Sequence, residues 1–131
     1  MKDAPQLGGP DVATLGPASD QDRPAVEALL VASGLPLDGL ELAFPAGAVV
    51  ARRGALLVGI AALERHGGAA LLRSVAVAPV ARGTGVGVAL VEDRLAAARA
   101  AGVTAVYLLT TTAAPFFSRL GFASFPRGDV P

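Results

Sequence analysis

The sequence predicts a mixed α/β fold: antiparallel strands, then one parallel pair, in a single sheet with helices on both faces. Three observations predict it. First, the apolar runs Ala48–Arg52 and Ala55–Glu64 flank an Arg53-Gly54 break, which is a hairpin pattern. Second, another apolar run, Ala69–Ala78, returns after the glycine-bearing turn 65–68. Third, a helical stretch from about Thr84 to Ala101 separates that run from Ala105–Leu109. A right-handed crossover of this kind lays the new strand parallel to the one before it.

The remaining elements follow in order. Residues 1–10 mix glycine and proline with polar groups and read as a frayed tail, which leaves residues 11–131 as one domain. Val12–Leu15 reads as a short first strand. Ser19-Asp-Gln-Asp22 reads as a helix start, with Ser19 as cap and acids in the first turn. Pro24 is tolerated so near the start. Val26, Leu29 and Leu30 give that helix an apolar stripe, and Gly34 ends it. Asp38–Phe44 reads as one or two further helical turns. In the long helix Val88, Val91, Leu95 and Ala98 share a face, and Gly102 is a natural stop. Ala113–Leu120 reads as a short helix closed by Gly121, and Phe122–Phe125 starts a last strand.

Composition narrows the function. A chain of 131 residues can bury one core but not two. At 53% hydrophobic residues it is no disordered polymer. A formal net charge of +0 argues against a broad nucleic-acid footprint. With no cysteine there is no disulfide, thiolate metal site or cysteine nucleophile, and His66, the one histidine, cannot build a histidine metal site. No apolar run approaches the ~20 residues of a membrane span, and Met1–Pro10 lacks the apolar core of a signal peptide. The expectation is a soluble cytoplasmic protein.

The richest stretch is the buried run Val75-Ala-Val-Ala-Pro79 followed by Arg82-Gly-Thr-Gly-Val-Gly87 at the start of the long helix. Backbone N–H groups at such a loop and helix start point outward unpaired and form an anion site, most often for phosphate. Arg82 adds a positive charge at its entrance. A Walker loop is excluded because its lysine is missing. A dinucleotide fingerprint fits poorly: Val88 stands where a glycine is needed, and no acid follows at about 20 residues. A plain turn would not need three glycines, which weaken a helix.

The loop resembles that of GNAT-type N-acetyltransferases: arginine or glutamine, two residues, glycine, one residue, then glycine or alanine. There it binds the pyrophosphate of acetyl-CoA. Val75–Pro79 resembles the strand and proline before that loop, and Phe116-Phe-Ser-Arg-Leu-Gly-Phe122 resembles the family's C-terminal signature. The resemblance spans about Val12–Phe125. Leu71–Val77 together with Tyr107–Ala113 is similar to the subgroup named arsenic-resistance N-acetyltransferases. Two departures stand out. Members usually carry a further strand after the signature, whereas this sequence stops at Pro131, so the resemblance implies a sheet that is incomplete, swapped or completed by a partner, a homodimer being one such arrangement, or else a chain that is a fragment. Many members also have a tyrosine, proposed to protonate the departing thiolate, where this chain has Phe117.

The resemblance implies acetyl-CoA as co-substrate and direct attack by the amine of a small molecule. Strands at Val75–Val77 and Ala105–Thr110 should splay so that the cofactor arm pairs with exposed backbone of Val75, Ala76 and Val77. An amide at or near Val77 would hold the acetyl oxygen as charge develops. Arg82, Gly83, Thr84, Gly85, Val86, Gly87 and Val88 would take the pyrophosphate. Thr110 falls where the family often has an asparagine near the arm, and Phe116 either packs on the arm or is plain core.

Arg73 interrupts an apolar strand two residues before the splay. By alternation Leu71, Arg73 and Val75 should share one face. Arg73 either clamps an oxyanion of the substrate or makes a structural salt bridge to Glu64 or Glu41. Glu64 is the candidate general base. With the turn at residues 65–68 it would pair with Ala69, roughly 13 Å along the strand from Arg73, so waters would have to relay the proton. The alternatives are an exposed carboxylate and an amine that arrives already deprotonated. Tyr107 is either a replacement acid or core. His66 should be solvated, and Ser74 is a small strand residue with no partner base. Beside the enzyme stand two rival readings, a CoA-binding module without turnover and an interaction domain that recruits a partner through an open sheet edge.

Overall fold

The computed structural model describes residues 12–110 and 113–123. Among the described residues five strands form one sheet in sequence order: β1 (Thr14–Pro17), β2 (Ala48–Arg53), β3 (Leu56–His66), β4 (Ala69–Val77) and β5 (Ala105–Tyr107). The first four are antiparallel neighbours, and β5 lies parallel to β4. This is the mixed sheet that the apolar runs predict. Helix α1 (Arg23–Ala32) follows β1, α2 (Val86–Ala100) crosses over from β4 to β5, and α3 (Ala114–Arg119) follows β5. The expected tail lies outside the described residues, as do Ser124 and Phe125 of the expected last strand; its first two residues, Phe122 and Ala123, are not in a strand.

The first strand sits two residues later than expected, paired Thr14↔Arg52 through Pro17↔Val49. Pro17 is tolerated because β1 is an edge strand. Ser19 does start the helical segment. Its N–H donates to Asp22 Oδ2 at 2.9 Å, and a short 3-10 turn, Asp20–Asp22, leads into α1. The expected turns at Asp38–Phe44 reduce to a 3-10 turn, Leu40–Leu42.

Two apolar layers hold the sheet. On one face Val26 and Leu30 of α1 pack with Leu40, Phe44 and Ile60. On the other, Val86, Leu90 and Val91 of α2 pack with Val58, Leu63 and Phe117. The stripe expected on α2 is rotated. Val91 and Ala98 are buried, but Val88 and Leu95 are half-buried, and Leu90 joins Val91 in being sealed from solvent. The cause is a close approach at β3: a Cβ on Gly59 would lie 2.8 Å from Leu90 Cδ1 and 3.3 Å from Val86 Cγ1. The bare glycine admits those two side chains, and they set the rotation of the helix.

Candidate functional site

A slot opens where β4 and β5 part. Their ladder runs only from Ala69↔Ala105 to Leu71↔Tyr107. Beyond it a cavity of about 230 Å³ opens, lined among others by Arg73, Val75, Val77, Arg82, Thr110 and Phe117. The expected opening at Val75–Val77 is present. On the other strand it begins at Leu108, because Ala105–Tyr107 remain paired. The local cause is a bulge in β4. Ile60 pairs with Ala76 and Ala62 with Arg73, so Ser74 and Val75 together face Ala61. Ser74 takes φ +57°, rare for a residue with a side chain.

The bulge corrects the expected alternation. Leu72 and Val75 both lean into the α2 layer, whereas Ala76 packs in the α1 layer. Arg73 and Val75 therefore do not share a face. Past the bulge Ala78 N–H donates to Val58 O at 2.8 Å, and Val77 O turns the other way to accept from Arg82 Nε at 3.1 Å. Strand alternation directs the Val77 amide toward the slot as well.

At the end of β4 a 3-10 turn, Pro79–Ala81, leads into the glycine loop. Gly83 and Gly85 have φ +77° and +87°, and a Cβ on either would meet nothing within 4 Å. Thr84 Oγ1 donates to Ala81 O and fixes the loop from within. Among the described residues, no backbone N–H from Gly83 to Val88 donates to a backbone carbonyl; Ala89 is the first to do so, to Gly85 O at 3.0 Å. The start of α2 is thus a row of open donors with the positive end of the helix behind it. Phe116 lies over this corner: a Cβ on Gly87 would come 3.4 Å from Phe116 Cζ and 3.5 Å from Val77 Cγ2. Thr110 Oγ1 accepts from Ala113 N–H at 3.0 Å and so anchors the start of α3 at the slot. Phe117 is buried edge-on between Phe116 and Phe122, with ring centroids 5.0 and 5.7 Å away.

The other end of the slot is walled by Ser33 and Leu35, which follow α1. Here the structure corrects the β3–β4 turn. His66 pairs with Ala69, so only Gly67 and Gly68 turn the chain, and Glu64 stands opposite Leu71 rather than Ala69. Arg73 Nη1 consequently donates to Glu64 Oε1 at 3.2 Å, and no water relay separates them. Arg73 Nη2 donates to Asp38 O at 2.5 Å and Nε to Ser74 Oγ at 3.3 Å. His66 Nε2 lies 2.5 Å from Glu64 Oε2; its ring is 60% exposed, but it is not simply solvated. Glu64 is buried at 8% exposure rather than an exposed edge carboxylate. Burial alone would raise its pKa, but hydrogen bonds from His66 and Arg73 outweigh that and hold it below the ordinary glutamate value. A carboxylate so held is a weak proton acceptor. Tyr107 lines a different depression of about 370 Å³, between α2 and the residues after α3, and not the slot.

Sequence reasoning missed Ser33, Leu35, the Asp38 carbonyl and the His66 contact. Only the last had a signal: His66 is two residues from Glu64 and therefore on the same strand face.

Comparison with known proteins agrees with this architecture. The acetyltransferase (GNAT) domain family matches residues 45–124, more than half of the chain, and the chain belongs to that family. Among solved structures, a GNAT-family acetyltransferase from Staphylococcus aureus Mu50 is similar at TM-score 0.80 and 18% identity, over 92% of this chain and 90% of that one. Rv2747 from Mycobacterium tuberculosis, in complex with CoA and NLQ, is similar at TM-score 0.78 and 28% identity, over 90% of this chain and 76% of that one. N-acetylglutamate synthase from Neisseria gonorrhoeae, complexed with coenzyme A and L-arginine, matches at TM-score 0.79 and 23% identity. That match covers 91% of this chain but only 29% of the synthase, so the chain spans under a third of that protein's length. A search of curated proteins finds no match.

Proposed function

We propose that this domain is an acetyl-CoA-dependent N-acetyltransferase acting on the amine of a small molecule. The observation that carries the reading is continuity: the open amides at Gly83–Val88 adjoin the slot between β4 and β5, so a diphosphate and its attached arm fit one path. The fit is supported by the empty space at Gly83 and Gly85, and by the CoA complex of the 28%-identical Rv2747.

In this reading the amides from Gly83 to Val88 hold the diphosphate, with Arg82 beside them. Backbone of Val75, Ala76 and Val77 aligns the arm, Thr110 faces it from across the slot, and Phe116 packs at its corner. The amide of Val77 stabilises the oxyanion that develops on the thioester carbonyl. Acetyl-CoA supplies the activated acetyl group. The acceptor nitrogen forms the new C–N bond as the C–S bond breaks, and its proton leaves through water to the departing sulfur. Glu64 is engaged by two partners and held ionised, so the amine enters deprotonated. Arg73 uses three of a guanidinium's five donors on Glu64, Asp38 and Ser74. The others are available to an oxyanion, which favours an amino-acid-like acceptor. The sequence of Leu71–Val77 with that of Tyr107–Ala113 supports the arsenic-resistance subgroup, and no helix among the described residues is long and apolar enough to cross a membrane, in keeping with a cytoplasmic enzyme.

Phe117 favours a second reading. Where the family pattern has a tyrosine, this chain has a ring in an aromatic stack with no proton to give, as in a module that binds CoA without turnover. Thiol release from acetyl-CoA across a panel of amines, run beside calorimetric titration with CoA, separates the two. Release above the amine-free rate supports the transferase; CoA binding without release supports the module; no CoA binding overturns both.

A further inference from the structure

The geometry of Glu64 fits a role other than that of a base. One guanidinium, Arg73, sits between three separate pieces of chain. It bonds the carbonyl of Asp38 in the loop after α1, the hydroxyl of Ser74 in the bulge, and the carboxylate of Glu64 on β3. Its side chain is 15% exposed and that of Glu64 11%, so the pair is shielded from water. The loop is moulded over the guanidinium: a Cβ on Gly39, which has φ +77°, would lie 2.7 Å from Arg73 Nη1. Leu40, next in the chain, is 2% exposed and anchors the same loop in the α1 layer. The loop that follows the wall residues Ser33 and Leu35 therefore has an apolar anchor at Leu40 and a polar one at Arg73.

We infer that Glu64 is a positioning residue: acting through Arg73, and itself steadied by His66, it holds the loop around Asp38 in place, and with it the preceding Ser33 and Leu35 that wall the acceptor side of the slot. The inference rests on the acetyl-transfer reading of the slot. Arg73 without its counter-ion would still be a cation, but only the Ser74 hydroxyl and the Asp38 carbonyl would hold its rotamer, and the Asp38 carbonyl would have a less firmly placed donor. The acceptor would then meet a loosened wall, while the diphosphate loop at the other end of the slot would be untouched.

The test compares Glu64→Ala and Glu64→Gln with the native protein, using the L-amino acids and simple primary amines as acceptors. Glutamine keeps a carbonyl for Arg73 but removes the charge and any capacity as a base. For the amino acid that the native protein turns over best, Glu64→Ala should raise KM ~10-fold or more, the loss of one charge-assisted hydrogen bond. Its kcat and its affinity for acetyl-CoA should stay within about 3-fold. Glu64→Gln should recover most of the KM. A fall in kcat of ~100-fold or more in both variants, with KM unchanged, would make Glu64 the base and overturn the inference. Unchanged kinetics in both would overturn it too. Should the native protein bind acetyl-CoA but turn over no acceptor, the transferase reading fails separately. Hydrogen exchange then decides: faster exchange at the amides of Leu42, Ala43 and Phe44 in Glu64→Ala, restored in Glu64→Gln, supports the inference, and equal protection overturns it.

Discussion

Arg52 holds both oxygens of Asp22 through one nitrogen: Nη2 lies 2.7 Å from Oδ1 and 2.8 Å from Oδ2. The same carboxylate accepts the N–H of Ser19 at 2.9 Å. One side chain thus starts α1 and ties it to β2. The hydrogen bond from Arg52 is the main cause that lowers the Asp22 pKa, working against its burial, and the Ser19 amide adds to it. Because the folded-state value is depressed, the stabilisation is fully present above the ordinary value of 3.8 and is lost as pH falls through the lowered one. Asp22→Asn should cost about 1–2 kcal/mol at pH 7 by urea unfolding, discounted because the Arg52 side chain is 37% exposed. The gap between variant and native protein should narrow at pH 3; an equal gap at both pH values would mean the ion pair contributes nothing.

Gly85→Glu should abolish acetyl-CoA binding while the protein stays folded. The new side chain enters open space, since nothing lies within 4 Å of the Cβ position. The left-handed backbone there costs a non-glycine residue roughly 1–2 kcal/mol, a tolerable loss. A carboxylate among the open amides would repel a diphosphate. Calorimetry reads the outcome, and retained affinity would place the cofactor elsewhere.

At the contact of β3 with α2, Gly59→Ala should destabilise by about 1–3 kcal/mol through overpacking against Leu90 and Val86. Leu90→Ala alone should cost about 2–5 kcal/mol. Made together they should cost less than the sum, because each relieves the other. Strict additivity in urea melts would show that the helix shifts instead of clashing.

Arg73→Ala should raise the KM of a carboxylate-bearing acceptor well above that of an amine without one, and leave acetyl-CoA affinity alone. Steady-state kinetics with an amino acid and its decarboxylated amine makes the comparison. An equal effect on both would confine Arg73 to holding the loop.

Much of the fold was legible in the sequence, and the failures have definite physical causes. Apolar runs and glycine breaks announced the β2–β3–β4 meander, and the glycine loop announced the start of α2. Turn length was not legible. Arg65-His-Gly-Gly68 reads as a four-residue turn, but with φ +64° at Gly67 two residues suffice. That shifted Glu64 from opposite Ala69 to opposite Leu71, and turned an apparent separation into a 3.2 Å contact with Arg73. The bulge was hidden because a serine, not a glycine, adopts the left-handed conformation. The Asp38 contact was invisible for a different reason: a backbone carbonyl carries no side-chain signature.

The extra residue at Ser74 divides the labour along the crevice. Beyond it, toward Arg82, the donors are peptide groups, indifferent to which side chains the strand carries. Before it, the wall is Arg73, Leu35 and Ser33, where any substitution is felt. On the proposed reading a lineage could therefore exchange one acceptor for another by altering a few positions after α1, and keep its acyl donor throughout.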